Sequence, residues 1–185
     1  MNKQQLRKAM KQKRLSLDKN ERALMDKRIT ESLLELTEIY DTVLCYVSSE
    51  IEVDTRAFLQ HVFDKSEKTV LVPRCVPGTN IMHFYQINSF DDLEKGNFGI
   101  EEPKKGLLKV NEYLGKSCCI VPALCYDRRG FRVGFGKGFY DRFLADFEGV
   151  KIGICYDCCL VEKIENDLTD ICADIVVTDK NISYT

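Results

Sequence analysis

Between Arg132 and Asp141 the chain reads Arg-Val-Gly-Phe-Gly-Lys-Gly-Phe-Tyr-Asp, with Gly134, Gly136 and Gly138 at alternate positions and Lys137 among them. Glycine has no Cβ, so its backbone N–H groups can approach an anion closely. A helix starting near Gly138 adds further donors and a favourable dipole. Arg132 and Lys137 supply full charges, and each charge-assisted hydrogen bond is worth roughly 1.5–3 kcal/mol. Together these residues have the chemistry of a phosphate cradle. Asp141, in the first turn of that helix, has the chemistry to hold magnesium against the same phosphates. The segment is neither a P-loop nor the dinucleotide fingerprint, whose glycine spacings differ. A tight hairpin at a sheet edge also accounts for the glycines, and a plain helix-start carboxylate accounts for Asp141.

A second concentration of charge lies at the start of the chain. Residues 1–30 carry ten basic groups against three acids, a balance of +7 in a protein whose net charge is -2. Lys3 to Leu15 has helical periodicity, with Leu6, Met10 and Leu17 forming a narrow apolar stripe. At about 100° per residue, Lys3, Arg7, Lys11 and Arg14 fall in a wedge of about 80° beside that stripe. The cations are thus expected at the edge of a packed interface, against the alternative of a solvated basic face.

Other chemistries find less support. The two histidines, His61 and His83, fall in a helix and a strand, which speaks against a Ser-His-Asp triad. Nine cysteines include Cys118-Cys119 and Cys155-x-x-Cys158-Cys159, and two ligand pairs would make a thiolate zinc site. Cys118 and Cys119 are adjacent in an apolar strand, however, and so should face opposite ways. Packed, reduced thiols are the expectation.

The elements that must position these residues alternate between strand and helix. Asp18 and Glu21 resemble a capping box opening a second helix that runs to about Leu36. Val43 to Val47 reads as the first strand, Asp54 as the cap of a helix to about Phe63, and Thr69 to Pro73 as the second strand. Met82 to Ile87 reads as a further strand, and Gly96 to Gly106 as a loop containing Pro103. Cys118 to Val121 and Lys151 to Cys155 flank a helix from about Gly138 to Phe147, and Ile175 to Thr178 closes the chain. This order implies α/β architecture: a mainly parallel sheet covered on both faces, with ligands beyond the carboxyl ends of its strands.

At 185 residues, 44% hydrophobic and 30% charged, the chain suits one domain over residues 1–185, with the polar stretch Ser89 to Ser117 as its one plausible subdomain break. No apolar run approaches the roughly 20 residues of a membrane helix, and the basic start lacks an apolar signal core. A cytoplasmic monomer is expected, with neither membrane nor nucleic acid as partner, since a net charge of -2 gives little attraction to polyanions.

The segment from Arg132 to Asp141, preceded by Val121-Pro122-Ala123-Leu124 and Asp127, closely resembles the signature of the 5-formyltetrahydrofolate cyclo-ligase family, or methenyltetrahydrofolate synthetases. The resemblance spans nearly the whole chain. Lys3-Gln4-Gln5-Leu6-Arg7 with Arg14 is similar to the family's basic first helix, and Ser48 to Thr55 to its substrate-contacting turn. Val72-Pro73-Arg74, Met82-His83-Phe84, Phe98 to Pro103 and Ile152-Gly153 follow in the family's order.

The resemblance implies a three-layer α/β/α fold similar to the ribose-phosphate isomerase and coenzyme A transferase group. It implies that Lys3, Gln4, Gln5, Leu6, Arg7 and Arg14 contact ATP, as do Arg132, Val133, Gly134, Phe135, Gly136, Lys137, Gly138, Phe139 and Tyr140. Glu52 and Phe135 through Phe139 would line the folate site. Asp141 and Asp170 would hold Mg2+, and Lys137 and Arg132 would carry catalysis. The implied reaction converts 5-formyltetrahydrofolate and ATP to 5,10-methenyltetrahydrofolate, ADP and phosphate.

The chain departs from the family pattern at Cys159, Glu165 and Thr169, near the second implied metal ligand, and at Phe139, where a tyrosine is common. Glu52 also reads as a strand-end surface acid. Two other functional classes remain open at this level: a noncatalytic nucleotide or sugar-phosphate sensor on the same fold, and a thiol redox or metal-binding protein.

Overall fold

The computed structural model describes residues 1–96, 99–113 and 116–185. Its centre is an eight-stranded sheet in the order β13-β12-β10-β7-β1-β2-β3-β6. These strands are β1 (Thr42–Leu44), β2 (Thr69–Cys75), β3 (Met82–Ile87), β6 (Lys109–Val110), β7 (Ser117–Pro122), β10 (Val150–Ile154), β12 (Ile175–Val177) and β13 (Ile182–Tyr184). β12, β10, β7, β1 and β2 run parallel; β13 and β3 run antiparallel to them, and β6 pairs antiparallel with β3 at the edge.

Alternation along the buried strands sorts the core into two layers. Val43, Val70, Val72, Cys118 and Ile120 pack against Leu6, Ile29, Leu33, Phe58 and Val62 of three helices, α1 (Lys3–Leu15), α2 (Lys19–Thr37) and α3 (Arg56–Lys65). Their neighbours Leu44, Leu71, Cys119 and Val121 face the other way, onto Leu144 and Phe147 in and after α4 (Phe139–Ala145). Each such aliphatic side chain contributes about 1.5–3 kcal/mol on full burial. The result is the expected layered α/β/α arrangement, heavier on one face. Cys118 and Cys119 do fall on opposite faces.

Several local readings need correction. The first strand ends at Leu44, and Cys45 to Val47 leave the ladder after one bond from Cys45 N–H to Leu71 O at 2.9 Å. α3 begins after Thr55; Asp54 Oδ1 accepts from Arg56 N–H at 2.9 Å, one position before the cap itself. The expected loop from Gly96 to Gly106 contains β5 (Glu101–Pro103), paired with β4 (Leu93–Lys95). The chain does not close at Thr178, because β13 returns along β12. A small separate sheet joins β8 (Cys125–Asp127), β9 (Arg132–Val133) and β11 (Leu160–Val161), short segments whose pairing no local sequence pattern announces. Phe98, part of the Phe98 to Pro103 motif, lies outside the described residues. Among the described residues no helix is long and apolar enough to cross a membrane.

Candidate active site

The chain passes from β1 through β2, β3 and β6 on one side of the sheet, then returns to build β7, β10, β12 and β13 on the other. Strand order therefore reverses at β1, the point where open α/β sheets bind ligands. A cavity of about 520 Å³ opens there, within the size range of small-molecule sites. Its apolar wall comes from the carboxyl ends of the parallel strands: Tyr46 and Val47 beyond β1, Pro73 and Cys75 of β2, and Pro122 of β7, with Met82 opening β3. Val47 and Tyr46 reach the cavity because the chain leaves the ladder after Leu44.

The other wall is the glycine loop. Asp127, fully buried, organises the turn before it by accepting from the N–H groups of Arg129 (2.9 Å), Phe131 (3.1 Å) and Ile164 (2.9 Å). That turn leads into β9, from which the Arg132 guanidinium reaches Asp141 Oδ1 at 2.5 Å and the Ile171 carbonyl at 2.5 Å. Gly136 and Gly138 have φ of 95° and 66°, in the left-handed region that disfavours any residue with a Cβ. Gly138 caps α4, and the amides of Phe139, Tyr140 and Asp141 precede the first intrahelical bond, Arg142 N–H to Gly138 O at 3.3 Å.

Cations from α1 close this wall. Arg7 Nε donates to Gly134 O at 3.0 Å, and Lys3 Nζ to Asp170 Oδ2 at 2.5 Å. Burial pushes the Asp170 carboxyl up, but the bonds from Lys3 and the Asp167 amide, with the charges of Lys3 and Arg132, outweigh it and hold the group below its usual value. Lys137 is exposed, and its ammonium makes no ion pair among the described residues. On the opposite side Glu52 is buried, its carboxylate accepting from Ser49 N–H at 2.8 Å and Ser49 Oγ at 2.7 Å. The hydroxyl of Tyr140 is buried with no hydrogen-bond partner among the described residues, and burial pushes its pKa well up. One cavity thus joins loop amides and cations to an apolar slot that holds a fixed carboxylate.

The model of the 5-formyltetrahydrofolate cyclo-ligase family matches residues 1–179. The chain belongs to that family. Similar curated relatives are the 5-formyltetrahydrofolate cyclo-ligases of Haemophilus influenzae, 26% identical over 91% of this chain and 92% of the relative, and of Escherichia coli, 30% identical over 76% and 79%. A solved structure, the 5,10-methenyltetrahydrofolate synthetase of Aquifex aeolicus, superposes with a TM-score of 0.85 at 33% identity, covering 100% of this chain and 93% of that one. A second, the Mycoplasma pneumoniae synthetase, gives a TM-score of 0.78 at 23% identity, over 97% and 99%, and shares the fold. The protein is accordingly a ligase.

The cyclo-ligase signature distributes unevenly around the cavity. Lys3, Arg7, Glu52, Arg132, Gly134 through Tyr140, Asp141 and Asp170 all line it. Val133 and Leu6 are in the core, and Gln4 is exposed. Gln5 completes a capping box, its Oε1 accepting from Asn2 N–H at 3.0 Å while Asn2 Oδ1 accepts from Gln5 N–H at 2.9 Å. Arg14 is 2% exposed and directs its guanidinium to backbone carbonyls.

Glu101 and Glu102 line the cavity without having been given a role in the sequence reading, although the motif containing them was visible. Glu102 is buried, and its Oε1 accepts from Cys75 N–H at 3.2 Å.

Among the described residues no group of three or more histidine, cysteine or acidic side chains is placed to hold a metal. Asp141 and Asp170 are two carboxylates bordering one cationic loop, a donor set that suits Mg2+, which is commonly bound by one or two carboxylates together with substrate phosphates. Burial pushes the Cys118 thiol up to about 12 and Cys125 and Cys158 to about 11, leaving little thiolate near neutral pH.

Proposed function

We propose that the protein catalyses the ATP- and Mg2+-dependent cyclisation of 5-formyltetrahydrofolate to 5,10-methenyltetrahydrofolate, releasing ADP and phosphate. The observation that carries this reading is the single cavity with an anion-binding wall facing an apolar slot. A formamide carbon is a poor electrophile, and its oxygen is a poor leaving group as hydroxide. Transfer of the γ-phosphoryl group to that oxygen addresses both difficulties. The formyl oxygen attacks the γ-phosphorus and the bond to ADP breaks. N10 then adds to the activated carbon and loses its proton, and the carbon–oxygen bond breaks with phosphate as leaving group.

The protein's part is positioning and charge stabilisation. Lys137, with no acidic partner among the described residues, follows charge onto the transferring group. The amides beyond Gly138 and the Arg7 guanidinium receive phosphate oxygens. Arg132, locked between Asp141 and Ile171 O, fixes the Asp141 carboxylate. Asp141 and Asp170 would hold Mg2+, whose chemistry is to neutralise charge on the phosphates. Glu52 and the strand ends orient the folate. Release of ADP that requires 5-formyltetrahydrofolate, one equivalent per equivalent consumed, is the expected result. Binding of both ligands without ADP release would replace the enzyme with a sensor, and ATP hydrolysis indifferent to the folate would overturn the coupling of phosphoryl transfer to cyclisation.

A further inference from the structure

The turn that presents Glu52 is held from behind by two arginines that do not line the cavity. Arg14, in the last turn of α1, donates to Ile51 O at 3.0 Å, Ala123 O at 2.6 Å and Leu124 O at 3.0 Å. Arg22, from α2, donates to Glu52 O at 2.7 Å and through Nε to the Tyr156 hydroxyl at 2.9 Å. That hydroxyl donates to Asp26 Oδ1 at 2.7 Å, which also accepts Asp54 N–H at 3.1 Å. The Tyr156 ring joins the two, its centroid 5.4 Å from the Arg14 guanidinium carbon and 6.0 Å from that of Arg22. Both carbonyls flanking the Glu52 carboxylate, and the amide two residues on, are therefore fixed by groups from α1, α2 and the segment after β10.

Stability alone is a poor reason for this arrangement. Arg14 is a buried cation facing neutral carbonyls, and its Nε has no partner among the described residues. Replacing such buried charge with packed apolar side chains is often neutral or stabilising. What the arginines achieve is geometric: the planar guanidinium of Arg14 ties the Glu52 turn to the end of β7, where Pro122 lines the cavity. Arg7, about two turns earlier on α1, is the cation that reaches the glycine loop.

We propose that Arg14 and Arg22 are positioning residues for the folate half of the site, fixing the Glu52 carboxylate to receive the ring N–H and amino donors of the reduced pteridine. The proposal rests on the cyclo-ligase reading, and it moves Arg14 from the nucleotide side to the folate side.

Calorimetric titration of the full chain with 5-formyltetrahydrofolate, and separately with a non-hydrolysable ATP analogue, tests it. Arg22→Gln should weaken folate binding at least fivefold and binding of the analogue less than twofold. In a Glu52→Gln background the same change should weaken folate less than twofold, because its effect passes through that carboxylate. Arg14→Lys, which keeps the charge but cannot span three carbonyls, should show the same split and serves if Arg22→Gln does not fold. Equal losses for both ligands, equal folate losses in both backgrounds, or wild-type folate affinity in a folded variant would overturn the proposal. Failure of the wild-type protein to bind 5-formyltetrahydrofolate would instead overturn the functional reading beneath it.

Discussion

Arg7 Nε donates to the Gly134 carbonyl at 3.0 Å, and this bond joins the basic first helix to the glycine loop. A Cβ built on Gly136 would lie 3.3 Å from the same Nε, so helix and loop are in close contact. Arg7→Glu should therefore raise the ATP KM at least tenfold and the folate KM much less. The effect should persist at moderate salt, since a partly enclosed charge is screened less than a surface one. Lys8, exposed on the same helix, provides the comparison. Steady-state kinetics of Arg7→Glu and Lys8→Glu at two salt concentrations check this, and equal, salt-sensitive effects would return α1 to the status of a solvated basic face.

Lys137 is exposed and holds no acid among the described residues, so its removal should leave folding intact. Lys137→Ala should lower kcat about 100-fold, or about 2.7 kcal/mol, the scale of losing one preorganised donor. Thermal unfolding should be unchanged within about 1 °C, the scale expected of a surface change worth a few tenths of a kcal/mol. A folded variant with full turnover would remove the ammonium from the mechanism.

Asp141 has two jobs that one substitution separates. It faces the cavity, and it is the acid partner of Arg132, whose side chain is 5% exposed. Asp141→Asn keeps an acceptor for Arg132 but removes the charge that suits Mg2+. The expected outcome is a several-fold higher Mg2+ requirement together with a stability loss of about 1–2 kcal/mol from weakening a charge-assisted bond. Measuring activity against Mg2+ concentration alongside denaturant unfolding gives both numbers. Lost stability with unaltered Mg2+ dependence would assign Asp141 to structure alone.

The Lys3–Asp170 pair gives a dependence on pH. The folded protein holds the Asp170 carboxyl below its unfolded value, so the pair's stabilising contribution is present above the ordinary carboxylate pKa and is lost as pH falls through the lower, folded one. Asp170→Asn should lower Tm at pH 7, and the gap to wild type should close below about pH 4, near the unfolded aspartate value. A gap that stays constant down to pH 3 would mean that the charge of Asp170 is not what stabilises the protein.

Much of this molecule can be read from residue order. Two-residue alternation through Cys118, Cys119, Ile120 and Val121 placed their side chains on alternate faces, and the helical stripe of Leu6 and Met10 put Lys3 and Arg7 at a packed edge. The glycine loop announced itself because its spacing suits no ordinary strand or helix. Less legible were features decided by tertiary contact. Glu101-Glu102-Pro103 forms an edge strand although its charge and proline read as a loop, since β4 supplies the partner. Ile182–Tyr184 is a strand because β12 offers an edge. Arg14 lies in the same helical wedge as Lys3 and Arg7, yet meets different atoms because the far end of α1 sits against the Glu52 turn rather than the glycine loop.

The central claim is that one cavity holds the formyl oxygen against the γ-phosphate of ATP, so that N10 closes the ring on the activated formyl carbon. Its most direct test is the absorbance of the 5,10-methenyltetrahydrofolate chromophore in a solution of the protein, 5-formyltetrahydrofolate, ATP and Mg2+. The account predicts a steady rise that needs all four components and falls about 100-fold with Lys137→Ala, again the scale of one preorganised donor. A flat trace from folded protein that binds both ligands would contradict it.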